Sequence, residues 1–123
     1  MEINIKATGV ELTPTIREYL ETKIMSLDKL VNFSSGNVLV EAEVGRVTEH
    51  HRSGEVFKTE VNLTIAGQLI RAEAVEADLY AAIDKVKDEL NYKISSERKK
   101  KAALIRRGGR MIKNLLKKLP HRR

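Results

Sequence analysis

The spacing of apolar residues changes period along this chain, and those changes restrict the fold more than any composition figure. Ile3, Ile5 and Ala7 alternate with polar neighbours as a half-buried strand does, and Gly9 closes the run. Ile16, Leu20, Ile24, Leu27 and Val31 then recur at spacings of three and four, one apolar stripe of a helix. Thr13 can cap its free amides and Pro14 is pre-set for the first helical position, so a first helix is predicted over residues 14–31. Asn32 to Asn37, with Ser34-Ser35-Gly36, is turn chemistry that ends it.

Alternation resumes at Val38, Val40, Ala42 and Val44, which face one way while Leu39, Glu41 and Glu43 face the other. Polar Thr48 to Glu55, containing His50-His51-Arg52, reads as a hairpin loop. A third strand follows on Phe57, Thr59, Val61, Leu63 and Ile65, and Ala66-Gly67-Gln68 turns it into a fourth over residues 69–74. From Asp78 the period is helical again, through Leu79, Ile83, Val86, Leu90 and Ile94. A helix from Asp78 to Lys101 spans about 36 Å, longer than the roughly 30 Å diameter of a ninety-residue body, so its C-terminal end is expected to project. Gly108-Gly109 is expected to break it and leave a short amphipathic helix in residues 110–119 that orders only on a partner. The pattern β-α-β-β-β-α implies an α/β (α+β) two-layer sandwich: a four-stranded mixed sheet, strands one and two parallel, with two helices on one face. At 123 residues there is room for one core, so the expected organisation is a folded domain over 1–101 and a flexible basic tail over 102–123.

Charge is divided as sharply as period. Residues 1–91 carry a net −6, whereas residues 92–123 carry a net +12 with Glu97 their one acidic residue. Screening at physiological salt acts over about 8 Å, so an anionic partner meets the basic end rather than the average. Nucleic acid and an anionic membrane surface are the partners such a segment suits. No apolar run approaches the roughly 20 residues of a bilayer span, no cysteine is present, and the N-terminus lacks a signal-peptide pattern. A soluble, cytoplasmic protein is expected.

No catalytic constellation is legible. His50 and His51 are adjacent and His121 is distant, which gives no zinc spacing and no fixed acid–base partner. Glu41 and Glu43 share a solvated strand face, and Gly108-Gly109 follows a helix without the Lys-Ser or Lys-Thr of a phosphate loop. No metal, cofactor or small-molecule substrate is expected. The five aromatics, Tyr19, Phe33, Phe57, Tyr80 and Tyr92, are too few for an extended base-stacking platform, so contact with phosphates and RNA shape is the better expectation. Tyr80 belongs with the packing, whereas Tyr92 lies among basic residues and both packing and stacking stay open for it.

Three segments together resemble the ribosome hibernation-promoting factors, also called ribosome-associated inhibitor A proteins: Ala7-Thr8-Gly9-Val10-Glu11-Leu12-Thr13-Pro14-Thr15-Ile16-Arg17-Glu18-Tyr19, Ile65-Ala66-Gly67-Gln68-Leu69-Ile70-Arg71-Ala72-Glu73-Ala74, and Asp78-Leu79-Tyr80-Ala81-Ala82-Ile83-Asp84. The resemblance covers about residues 1–101. It implies a non-enzymatic translation inhibitor that occupies the messenger and transfer RNA channel of the small ribosomal subunit, holds its ribosomal RNA, and is a monomer off the ribosome. The matching basic positions are Lys23, Lys29 and Arg71, then Lys85, Lys87 and Lys93, then Arg98, Lys99, Lys100 and Lys101. Where many relatives carry Leu-Glu-Arg-Gln-Leu, this chain has Leu90-Asn91-Tyr92-Lys93-Ile94. The segment after Lys101 is too short for the dimerisation domain of the longer members. Two other readings stand beside this one: a membrane-surface or protein-docking module working through residues 110–119, and a general double-stranded RNA binder.

Overall fold

Strand β1 (Ile3–Thr8) leads to helix α1 (Pro14–Met25), a single turn α2 (Asp28–Val31) and a 3-10 turn (Phe33–Ser35). Strands β2 (Val38–Val47), β3 (Val56–Ile65) and β4 (Gln68–Glu76) follow, and helix α3 runs from Leu79 to Lys118. The computed structural model describes residues 3–47 and 56–118; the loop expected over 48–55, with His50, His51 and Arg52, lies outside them, as does His121. The sheet order is β1-β2-β3-β4. β1 is parallel to β2, as the strand-helix-strand opening demands, and the other pairs are antiparallel.

Register places the apolar set on one face. Ile3 pairs with Val40 and Ala7 with Val44, while Val40 pairs with Leu63 and Leu63 with Ile70. Val40, Val44, Val61 and Leu63 are fully buried beneath Leu20, Ile24, Ile83, Val86 and Leu90 of the helices. The opposite face carries Glu41, Glu43, Lys58, Glu60 and Asn62 and meets solvent, the arrangement an antiparallel sheet with one covered side adopts. Gly45 of β2 is a close approach: a Cβ there would stand 2.9 Å from the Thr8 carbonyl oxygen, so no larger residue fits without parting β1 from β2. β4 extends past the predicted 69–74 at both ends because its pairing with β3 runs from Gln68 to Glu76. The β3–β4 turn has φ of 50° at Ala66 and 85° at Gly67, the two left-handed residues of a type I′ hairpin. The Ala66 N–H donates to the Asn37 carbonyl at 2.9 Å, which helps hold an alanine where glycine is the usual choice.

Two helix predictions need correction. The helix expected over 14–31 stops at Met25. Its start is as predicted, with Thr13 Oγ1 accepting the Ile16 N–H at 3.1 Å and Pro14 opening the helix. At its end the Ser26 hydroxyl donates to the Lys23 carbonyl, and the Leu27 N–H turns to Ile24 three residues back instead of Lys23 four back. The chain restarts at Asp28, and Leu27 and Val31 stay buried, which is why the apolar stripe gave no sign of the interruption. The second correction concerns Gly108-Gly109, which do not break α3: the helix is continuous to Lys118, so residues 110–118 of the expected separate helix belong to it, and residue 119 lies outside the described residues. Two glycines cost about 1 kcal/mol each relative to alanine but, unlike proline, keep the backbone N–H the helix needs, and the flanking Arg, Lys, Leu, Ile and Met residues are good or tolerable helix formers.

Asp78 caps α3, its carboxylate accepting the Ala81 N–H at 3.3 Å. Among the described side chains the buried residues of α3 lie between Leu79 and Ile94, and from Arg98 to Arg107 every side chain but Ala103 is exposed. Beyond Ile94 the helix continues for roughly 36 Å.

Candidate nucleic-acid interface

Four consecutive helical residues advance about 100° each, so Arg98, Lys99, Lys100 and Lys101 spread positive charge around the whole circumference of α3. All four are exposed, and Arg106 and Arg107 add to them further along. Among the described residues one ion pair touches this group, Lys100 Nζ to Glu97 Oε1 at 3.8 Å and largely in solvent. An exposed pair of that kind contributes little and exchanges readily for another anion.

The remaining candidates do not form one patch. Lys29 is exposed on α2 and pairs with no acid among the described residues. Lys85 reaches Glu76 at 3.4 Å, and Lys87 its neighbour Asp88 at 3.8 Å. Arg71 projects from β4 on the open side of the sheet, bonded to Glu60 at 2.9 Å, so its guanidinium points away from α1. Lys93 is held by Glu89 at 3.0 Å and donates to the Arg71 backbone carbonyl. Arg71, Lys93 and Lys100 thus share one groove between β4 and α3. Partial burial pushes the Glu60 carboxyl up, but the Arg71 hydrogen bond and charge, with Lys58 beside it, more than offset this and leave it below the usual carboxylate range.

Lys23 sits in a cluster that sequence reasoning missed. Tyr19 Oη donates to Asp84 Oδ1 at 2.7 Å, Lys23 Nζ approaches the same oxygen at 3.2 Å, and the ammonium lies 5.3 Å from the Tyr19 ring centroid. Tyr80 meets Tyr19 edge-on at 4.9 Å. Each helix supplies an aromatic and a charged residue one turn apart, Tyr19 with Lys23 and Tyr80 with Asp84, and that paired spacing is the signal available in the sequence. Reversal of Lys23 would therefore set a second negative charge against Asp84, so Lys23 does not qualify as the structurally neutral position its place outside the apolar stripe suggests.

The Tyr19 hydrogen bond, ahead of Lys23 and Lys87, holds Asp84 below the ordinary carboxylate range. The bond to Asp84 is the main reason that both the Tyr19 phenol and the Lys23 ammonium are raised. A lowered acid stabilises the fold above its unfolded value of about 3.9 and loses that contribution as pH falls through the folded value. The raised phenol and ammonium act below about 10 and lose theirs as pH rises through the folded values. Asp84→Asn is accordingly expected to lower Tm at neutral pH and to flatten the acid arm of a Tm-against-pH curve. Calorimetry across the acid range checks it; an acid arm as steep as wild type would contradict the assignment.

Among the described residues no helix is long and apolar enough to cross a membrane, and no three carboxylate or imidazole groups converge on a metal position. Residues 3–102 match the family model described as "Sigma 54 modulation protein / S30EA ribosomal protein". The ribosome hibernation promotion factor of Deinococcus radiodurans is 38% identical over 86 residues, 70% of this chain and 43% of that protein. The chain thus spans less than half of that relative, but 94% of the ribosome hibernation promoting factor of Pseudomonas putida, to which it is 29% identical. Among solved structures, the N-terminal domain of Thermus thermophilus Protein Y superposes with a TM-score of 0.61 at 29% identity, covering 76% of this chain and 96% of that one.

Proposed function

The chain belongs to the Sigma 54 modulation protein / S30EA ribosomal protein family, and from that membership we propose that it binds the small ribosomal subunit, occupies the channel of messenger and transfer RNA, and silences translation by obstruction rather than catalysis. The observation that carries the reading is the all-round cationic stretch of α3 standing clear of a body that is net acidic. The RNA-contact set proposed is Lys23, Lys29, Arg71, Lys85, Lys87, Lys93 and Arg98 to Lys101. The binding unit is residues 1–101, with the basic 102–123 extension adding charge, and the protein works as a cytoplasmic monomer.

Each phosphate contact steepens the log–log dependence of affinity on salt by roughly 0.7 to 0.9, so six contacts give a slope of about −4 to −5. Titration of purified small subunits at several salt concentrations, with chemical footprinting of the decoding groove, tests this. A flat salt dependence or an unprotected groove overturns it. A docking role for the far end of α3 draws on exposed Leu104 and Ile105; flotation with anionic vesicles in place of ribosome co-sedimentation would favour that reading instead.

A further inference from the structure

Tyr92 and Leu69 are the most exposed large apolar side chains among the described residues, at 74% and 60%, and both line the groove between β4 and α3. That groove has a volume of about 470 Å³, within the range that accommodates a small organic ligand. Its charged lining is Lys93 and Lys100 against Glu97, with Arg71 contributing to the wall while its guanidinium is turned to Glu60. We infer that it seats one unpaired nucleotide of a single-stranded RNA, with the base on the Tyr92 ring and the phosphate between Lys93 and Lys100. This deepens the proposed RNA-binding role and rests on it.

Four features favour a nucleotide over other occupants. Tyr19 and Tyr80 are consumed in the contact between helices, whereas the Tyr92 ring is left open, as stacking on a base requires. β4 is an edge strand that would otherwise accept an added peptide strand, but the Lys93 ammonium occupies the Arg71 carbonyl on that edge. Glu89 and Glu97 stand beside Lys93 and Lys100, so both ammonium groups are already positioned at the groove and can exchange an exposed carboxylate for a phosphate. Gln68 adds an amide at the same wall, with a donor and an acceptor for a base edge. A base inside a duplex cannot reach such a platform, so the occupant is an unstacked one.

The test uses the full chain, a short single-stranded RNA carrying 2-aminopurine, and an RNA duplex as a control for charge alone. Wild type and Tyr92→Phe are expected to quench the 2-aminopurine emission. Tyr92→Ala is expected to bind the single strand about tenfold more weakly and not to quench, with unchanged duplex affinity. Equal quenching and affinity in Tyr92→Ala, or none in wild type, overturns the proposal. Failure of the ribosome reading shows separately, as loss of salt-dependent binding to small subunits by the wild-type protein.

Discussion

Reversing Arg98, Lys99, Lys100 and Lys101 to glutamate is expected to weaken binding to small ribosomal subunits by roughly a thousandfold at physiological salt. A basic residue at an anionic surface contributes about 1 kcal/mol, and four together about 4 kcal/mol, or three decades of affinity. The salt slope should flatten at the same time, since fewer counterions are released. The fold should survive. All four side chains are exposed, and among described residues the only ion pair lost is the weak one between Lys100 and Glu97. Co-sedimentation with subunits reads the first effect and thermal unfolding the second. Affinity within a few-fold of wild type would move the interface off this part of α3.

The second large effect is on stability. Leu90 has no exposed surface and sits where α3 crosses the sheet. Leu90→Ala should cost about 2–5 kcal/mol through lost burial and the cavity left behind, which for a domain of this size lowers Tm by roughly 10–25 °C. Leu104→Ala, at a residue 44% exposed on the projecting stretch, should stay within about 0.5 kcal/mol of wild type. Calorimetry on the two variants compares them directly. Similar losses would mean that the far part of α3 is packed against something the intramolecular contacts do not reveal.

The strands and the anchored part of α3 were legible because each buries one face, and a single buried face writes its own period into the chain. What escaped has no such record. At Ser26 the interruption depends on a hydroxyl competing for a backbone carbonyl, and the stripe through Leu27 and Val31 continues regardless. At Gly108-Gly109 a local breaker signal was outweighed by the preferences of the residues around it. Tyr19 meeting Asp84 is a contact across 65 positions, which needs the packing of α1 on α3 before it can be seen. In the sequence the ten basic candidates form one set by resemblance, yet the fold distributes them over the open side of the sheet, the helices of the body and the projecting stretch of α3. Only the run at 98–101 keeps in space the closeness it has in sequence.

Because the buried residues of α3, among those described, run from Leu79 to Ile94, it behaves as a lever whose fulcrum is the hydrophobic layer under Leu90. A tilt of about 5° at that layer displaces a point roughly 36 Å further along by about 3 Å, the length of a hydrogen bond. Repacking deep inside the protein can therefore misalign its cationic arm with the rigid RNA surface proposed for it while every charge stays in the sequence.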